Sequence, residues 1–244
     1  MSVFLESVKE NAVFVAQVVG IFVALFVVAF LAEKLAQKCS GTKEKVLTTR
    51  KVAMIGMFSA VSAILMLFEF PVFFAPSFYG LDFSELPVLI GSYAFGPAAG
   101  VLMEFAKVLL KVLFKPTSTA FVGELANFAV GCSLILPASI VYQFWKKKKG
   151  AITACIVGTL MITIFGTAFN AIYLIPAFSE LFGMPMEVIL DMGSKVNPLM
   201  TEGSIVSFVV CCVAPLNLIK GGAVSVLTMF LYKPLSPIIK GNRT

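Results

Sequence analysis

The chain contains no histidine and one tryptophan, and Asp, Glu, Lys and Arg make up only 13% of its 244 residues. A soluble domain needs about a quarter of its residues charged to keep its surface in water, so an ordinary soluble globule is excluded. Without histidine, the residue that most often serves as zinc ligand and as general base near neutral pH is missing. No HExxH, GxSxG or GxxxxGK[ST] pattern occurs, and Gly41-Thr42-Lys43 is only a fragment of a phosphate loop. The chain therefore has no route to ATP hydrolysis through such a loop, and neither catalytic residues nor a metal site are expected. Its five cysteines, Cys39, Cys132, Cys155, Cys211 and Cys212, are odd in number and form no CxxC pair, which argues against a disulfide framework.

What is present is apolar. Residues of the set AVILMFWYC make up 59% of the chain, with 24 phenylalanines and 11 methionines, and the mean hydropathy is +0.98. The apolar runs are long and do not alternate, which predicts helices, one of the two backbones that satisfy their own hydrogen bonds in lipid. A bilayer core takes about 20 helical residues. Spans are expected at about residues 13–35, 52–70, 86–95, 100–114, 122–145, 151–178 and 205–232. The first is too long for a signal-peptide core, no small-x-small cleavage pattern closes it, and Lys38 before Cys39 spoils a lipoprotein site, so it reads as a retained anchor. Two short spans flank Gly96-Pro97-Ala98-Ala99-Gly100, a break at the membrane edge. The expectation is an all-α membrane protein of six helices plus one at the N-terminus.

Basic residues cluster on alternate loops. Lys34, Lys38, Lys43, Lys45, Arg50 and Lys51 follow the first span, Lys146 to Lys149 follow the fifth, and Lys233, Lys240 and Arg243 close the chain, which is 13 of the 19 Lys and Arg residues. The intervening loops carry Asp82, Glu85, Glu180, Glu187, Asp191 and Glu202. By the positive-inside rule the C-terminus is cytoplasmic and the N-terminus outside. The net charge of +6 is thus a topology signal, and because the basic and aromatic residues are not interleaved, no nucleic-acid partner is expected.

Ionisable and amide side chains within spans are costly unless paired or lining a cavity. At a rise of about 1.5 Å per residue from the cytoplasmic lysines, Asn127 lies about 28 Å up, Asn170 about 31 Å, Asn217 about 24 Å and Lys220 about 20 Å. Three different helices thus bring these four residues to the outer half of the bilayer, as expected for one pocket open to the outside. Thr159, Thr163, Thr167 and Asn170 follow i, i+4, i+8, i+11 along one face, and Asn217 with Lys220 follows i, i+3. For the threonines, interhelical hydrogen bonding is the better reading. Glu104 and Lys107 at i, i+3 are expected to pair, with Lys111 and Lys115 continuing their face, and Glu69 ends its span just before Pro71. Asparagine amides match imide edges, lysine donates to carbonyl oxygens, and phenylalanines supply walls for a flat ring. A neutral, polar-edged planar ligand fits better than an ion. Ala53, Gly56, Ala60 and Ala63, at i, i+3, i+7 and i+10, form a small-residue stripe along which another helix could dock.

Four strings carry a resemblance: Leu67-Phe68-Glu69-Phe70-Pro71, Leu81-Asp82-Phe83-Ser84-Glu85-Leu86-Pro87, Gly123-Glu124-Leu125-Ala126-Asn127-Phe128 and Pro215-Leu216-Asn217-Leu218-Ile219-Lys220-Gly221. Together, over about Arg50 to Pro237, they resemble the riboflavin-specific S components of energy-coupling factor (ECF) vitamin transporters. The resemblance implies a six-helix substrate-binding domain over residues 50–244, preceded by an extra helix and basic linker over residues 1–49. It implies capture of riboflavin as transported ligand, with no cofactor, and association with a transmembrane T component and two cytoplasmic ATPases. It maps binding roles onto Asn170, Asn217 and Lys220, with Asn127 and the outer loop around Phe78 to Phe83 as further candidates, and partner docking onto Ala53, Gly56, Ala60 and Ala63. Thr167 joins the candidates from the polar face of its own helix, and Phe83 stands for the loop. The span at 13–35 departs from the usual six-helix pattern. An S component for another vitamin, or a membrane enzyme or scaffold without a transport substrate, are the alternatives.

Overall fold

A computed structural model describes residues 12–41, 47–117, 119, 121–201 and 203–240. Lys43, Glu44 and Lys45 of the basic linker, Glu202 and Arg243 lie outside the described residues. The elements are α1 (Ala12–Ser40), α2 (Thr49–Leu67), a hairpin of β1 (Phe70–Pro71) and β2 (Gly80–Leu81), α3 (Glu85–Phe95), α4 (Pro97–Phe114), α5 (Val122–Phe144), α6 (Lys148–Phe169), α7 (Ile175–Phe182), α8 (Met186–Val196), α9 (Ile205–Phe208) and α10 (Ala214–Lys240). The fold is all-α apart from that two-residue antiparallel ladder, which pairs Phe70 with Leu81 and Pro71 with Gly80. Among the described residues, five helical stretches are long and apolar enough to cross a membrane: Val19–Cys39, Thr49–Leu67, Val122–Phe144, Lys148–Phe182 and Ile205–Tyr232. Of the two remaining expected spans, α3 is only 11 residues long, and α4 carries Glu104, Lys107 and Lys111.

Two of the long stretches contain a π-turn, Asn170–Leu174 between α6 and α7 and Val209–Val213 between α9 and α10. Each ends two residues before a proline, Pro176 and Pro215. A helical proline has no N–H and its ring presses on the carbonyl four residues earlier, here Ile172 and Cys211, both inside the π-turns. Widening the turn to i→i+5 makes room for the ring without ending the helix. The freed Cys211 carbonyl accepts from Asn197 Nδ2 at 3.0 Å, so a buried acceptor finds its partner in the α8–α9 connection.

The central core packs α2, α3, α4, α5, α6 and α10 around Leu89, Met103, Leu134, Ile135 and Ile162, all buried. Tyr93 stacks on Tyr142 with centroids 4.5 Å apart, and Tyr142 donates to Tyr232. A second cluster, with Phe208, Ile189 and Ala75, joins α8, α9 and the 70–84 loop over one end of the bundle. The extra helix α1 lies against α4 and α5, where Phe22 stacks on Phe105 at 4.1 Å and Ala29 is fully buried. Near its other end Glu33, 4% exposed, accepts from the Ala98 backbone N–H at 3.4 Å and pairs with Lys51 at 3.7 Å. Gly96 makes this contact possible. Its φ of 104° lies in the region that glycine tolerates, and a Cβ there would collide with the Glu33 carboxylate.

Candidate functional site

The two π-turns face each other across a cavity of about 150 Å³. Its lining comes from α5 (Gly123, Ala126, Asn127), the first π-turn (Asn170, Leu174), the second π-turn and α10 (Val213, Leu216, Asn217, Lys220), and the hairpin loop (Phe78, Tyr79, Asp82). Asn127, Asn170, Asn217 and Lys220, placed at one depth by the helix rise, thus line one cavity. Glu69 reaches the same rim from the end of α2. The other two expected residues do not. Thr167 is absent from the lining, and its buried hydroxyl has no hydrogen-bond partner. Phe83 turns inward and packs on the central core, while Phe78 and Tyr79 take the place at the cavity wall.

The amides differ in how far they are satisfied. Asn170 Nδ2 donates to Gly166 O of its own helix at 2.7 Å, leaving its Oδ1 to accept from the Tyr79 hydroxyl at 2.6 Å. Tyr79 is half-buried by its neighbours, and the desolvation of its hydroxyl raises the phenol pKa above the usual range. Asn217, 6% exposed, has no partner for Nδ2. A buried unpaired amide donor is uncommon and asks for an acceptor. Gly166 makes space for this amide, since a Cβ at that position would lie 2.5 Å from Asn217 Nδ2. The remaining threonine face does structural work: Thr159 bonds Ser225 of α10 at 3.0 Å, and Thr163 bonds back to Thr159 O at 2.8 Å.

Lys220 has partners that spacing alone did not reveal. Its Nζ lies 2.9 Å from Asp82 Oδ2 and 3.0 Å from Glu85 Oε2. Glu85 passes the contact on to Lys107 at 3.3 Å, and Lys107 meets Glu104 at 2.6 Å, the i, i+3 pair expected from sequence. Lys111 leaves that face and pairs across to Glu124 of α5 at 2.9 Å. Burial alone would raise the pKa of Asp82, but the positive charges of Lys220 and Lys107, with hydrogen bonds from the Ser84 backbone and Lys220, outweigh it and hold the carboxyl at about 2. The ionised loop is therefore tied to α10 directly beside the cavity. Sequence alone read Asp82 and Glu85 as ordinary acidic loop residues. The signal that could have exposed them is the need of each buried ammonium for a counter-charge.

On α2, Ala53, Gly56 and Ala60 are exposed together with Val52, Met57 and Val61, and a Cβ on Gly56 would meet open space. Ala63 is fully buried in the bundle. At about 100° per residue it lies about 80° round the helix from Ala53, which carries it off the exposed stripe and into the interior.

These features define a multi-pass membrane protein with a polar-lined cavity between helices at one end of its bundle. Comparisons with known proteins narrow the class. Residues 50–232 match the family model "ECF transporter, substrate-specific component". The riboflavin transporter RibU of Staphylococcus aureus is 31% identical over 191 residues, covering 78% of this chain and 93% of the relative. The riboflavin transporter FmnP of Bacillus subtilis is 26% identical over 199 residues, covering 81% and 98%. A solved structure, described as the S component of a bacterial ECF transporter, superposes with a TM-score of 0.60 at 33% identity and covers 78% of this chain and 97% of that one. The chain belongs to the ECF transporter substrate-specific components. It is the substrate-binding subunit of an ECF importer, and membership of this family assigns it ligand capture, not catalysis.

Proposed function

We propose that the transported ligand is riboflavin and that it binds in the cavity between the two π-turns, in contact with Asn127, Asn170, Asn217 and Lys220. The observation that carries this reading is the buried, unpartnered Asn217 amide, which shares a cavity with two further asparagines and an ammonium. The relatives named above as riboflavin transporters supply the ligand's identity. An isoalloxazine ring has an imide edge of alternating acceptors and donor that an amide pair complements, and the aromatic and aliphatic lining suits its faces. Ligand pockets usually hold about 300–1,000 Å³, so the 150 Å³ cavity must widen. The Tyr79 hydroxyl occupies the Asn170 acceptor that an imide N–H would use, and withdrawal of Phe78 and Tyr79, with Asp82 still tied to Lys220, supplies both the room and the free acceptor.

In this reading the cavity opens to the outside, the N-terminus is external and the C-terminus cytoplasmic, as the distribution of lysine requires. Residues 50–244 form the substrate-binding domain, and residues 1–49 an added helix and linker. The partners are a transmembrane T component and two cytoplasmic ATPases, because the chain itself has no nucleotide-binding motif. The exposed Ala53, Gly56 and Ala60 face, flat enough for close helix approach, is the T-component contact. Titrating purified protein into riboflavin is expected to quench flavin fluorescence to a stoichiometric end point, and no quenching would refute the ligand. Ala60→Trp should quench as the parent does yet lose co-purification with the T component and ATP-driven uptake. Normal uptake by that variant would remove the docking face.

A further inference from the structure

The ion network beside the cavity does not balance. Asp82, Glu85 and Glu104 face Lys107 and Lys220, and all five side chains are buried, none more than 8% exposed. The neighbouring Lys111–Glu124 pair is neutral in itself and supplies no spare charge. Fully ionised, the cluster leaves one uncompensated negative charge inside the bundle, a state far costlier than a neutral one. We propose that the network holds one proton and that Glu104 carries it.

Partner geometry separates the three acids. Asp82 accepts from the Ser84 backbone N–H at 2.8 Å and from Lys220 at 2.9 Å. Glu85 is held by both lysines, Lys107 on Oε1 and Lys220 on Oε2, and by the Ser84 hydroxyl at 3.2 Å. Glu104 is fully buried, has Lys107 alone as an ion-pair partner on Oε2, and neither of its carboxyl oxygens has a hydrogen-bond partner of good geometry. Its carboxyl lies against α5 at Gly131, where a Cβ would stand 2.6 Å from Oε2. The groups facing it are Lys107 on its own helix, Glu85 from α3, Asp82 and Lys220 beyond them, and the buried Cys132 thiol from α5. An ionised Glu104 would leave one oxygen bare next to a helix backbone, whereas a neutral acid halves that demand. A metal ion is the other way to supply the missing positive charge. The lysines stand between the acids, however, and among the described residues no three Asp, Glu, Cys or His side chains are grouped to hold one. With the proton in place the five-residue network beside the cavity sums to zero. The inference does not depend on which small molecule binds.

Infrared spectroscopy of the purified full chain in deuterated and ordinary buffer reads the assignment directly. At neutral pH an un-ionised carboxyl stretch is expected that shifts in deuterated buffer, moves when glutamate but not aspartate carboxyls are isotopically labelled, and disappears in Glu104→Gln. That variant, a neutral isostere, should fold with the parent's Tm. The proposal is overturned by absence of the band in the parent, by its shift with labelled aspartate, by its survival in Glu104→Gln, or by failure of Glu104→Gln to fold. Stabilisation of a band-free parent by sodium but not potassium chloride would assign the missing charge to a metal ion instead.

Discussion

Lys220→Met is expected to cost about 3–5 kcal/mol of stability and to abolish flavin quenching, the penalty for removing one partner of a buried ion pair. The ammonium bridges Asp82 of the hairpin loop and Glu85 of α3 to α10, so its loss takes from Asp82 its direct ion-pair partner and leaves Glu85 with Lys107 alone. Lys107 compensates Glu85 at 3.3 Å but is already shared with Glu104. The double variant Lys220→Met, Asp82→Asn should recover much of the stability, because the surplus negative charge is gone, yet not the binding, because the donor to the ligand is still missing. Thermal denaturation in detergent, with and without riboflavin, separates the two effects. A single variant as stable as the parent would show that the network does not anchor the loop.

Asn217→Ala is expected to behave in the opposite way: about tenfold to hundredfold weaker riboflavin binding, the cost of about 1–3 kcal/mol for one buried hydrogen bond, with the ligand-free protein at least as stable as the parent. The reason is that Nδ2 has no partner in the free protein, so its removal lifts a desolvation penalty. Gly166→Ala tests the same group without touching the ligand. Its new Cβ would stand 2.5 Å from Asn217 Nδ2 and push the amide out of position. Both variants should lower affinity in a quenching titration. If both bind as the parent does, Asn217 is not a ligand contact.

The division between what sequence discloses and what it hides is physical. Spans of apolar residues, the Pro97 break and the common depth of Asn127, Asn170, Asn217 and Lys220 follow from helix rise and bilayer thickness, quantities local to each segment. The π-turns escaped because their hydrogen bonding shifts by one residue without changing hydropathy, although Pro176 and Pro215 mark their ends. The identity of the partners of Lys220 escaped because Asp82 and Glu85 lie more than a hundred residues away along the chain and look like solvated loop acids. Phe83 and Tyr79 belong to one short loop in which side-chain direction is set by the surfaces beneath, so spacing could not tell which aromatic faces the cavity. Ala63 fell inside the bundle because a ten-residue stripe drifts round the helix. The added helix α1 carried one hint, Glu33 at the end of an apolar run, and the structure gives that acid its place at the Gly96 turn.

The binding of riboflavin between the two π-turns is the claim on which the rest turns. Its most direct test is mass spectrometry of the small molecule released by denaturing the protein after purification from cells supplied with riboflavin. The account predicts riboflavin in near-equimolar amount from the parent and much less from Asn217→Ala at equal protein yield. Release of a different vitamin, or equal riboflavin from both proteins, would contradict it.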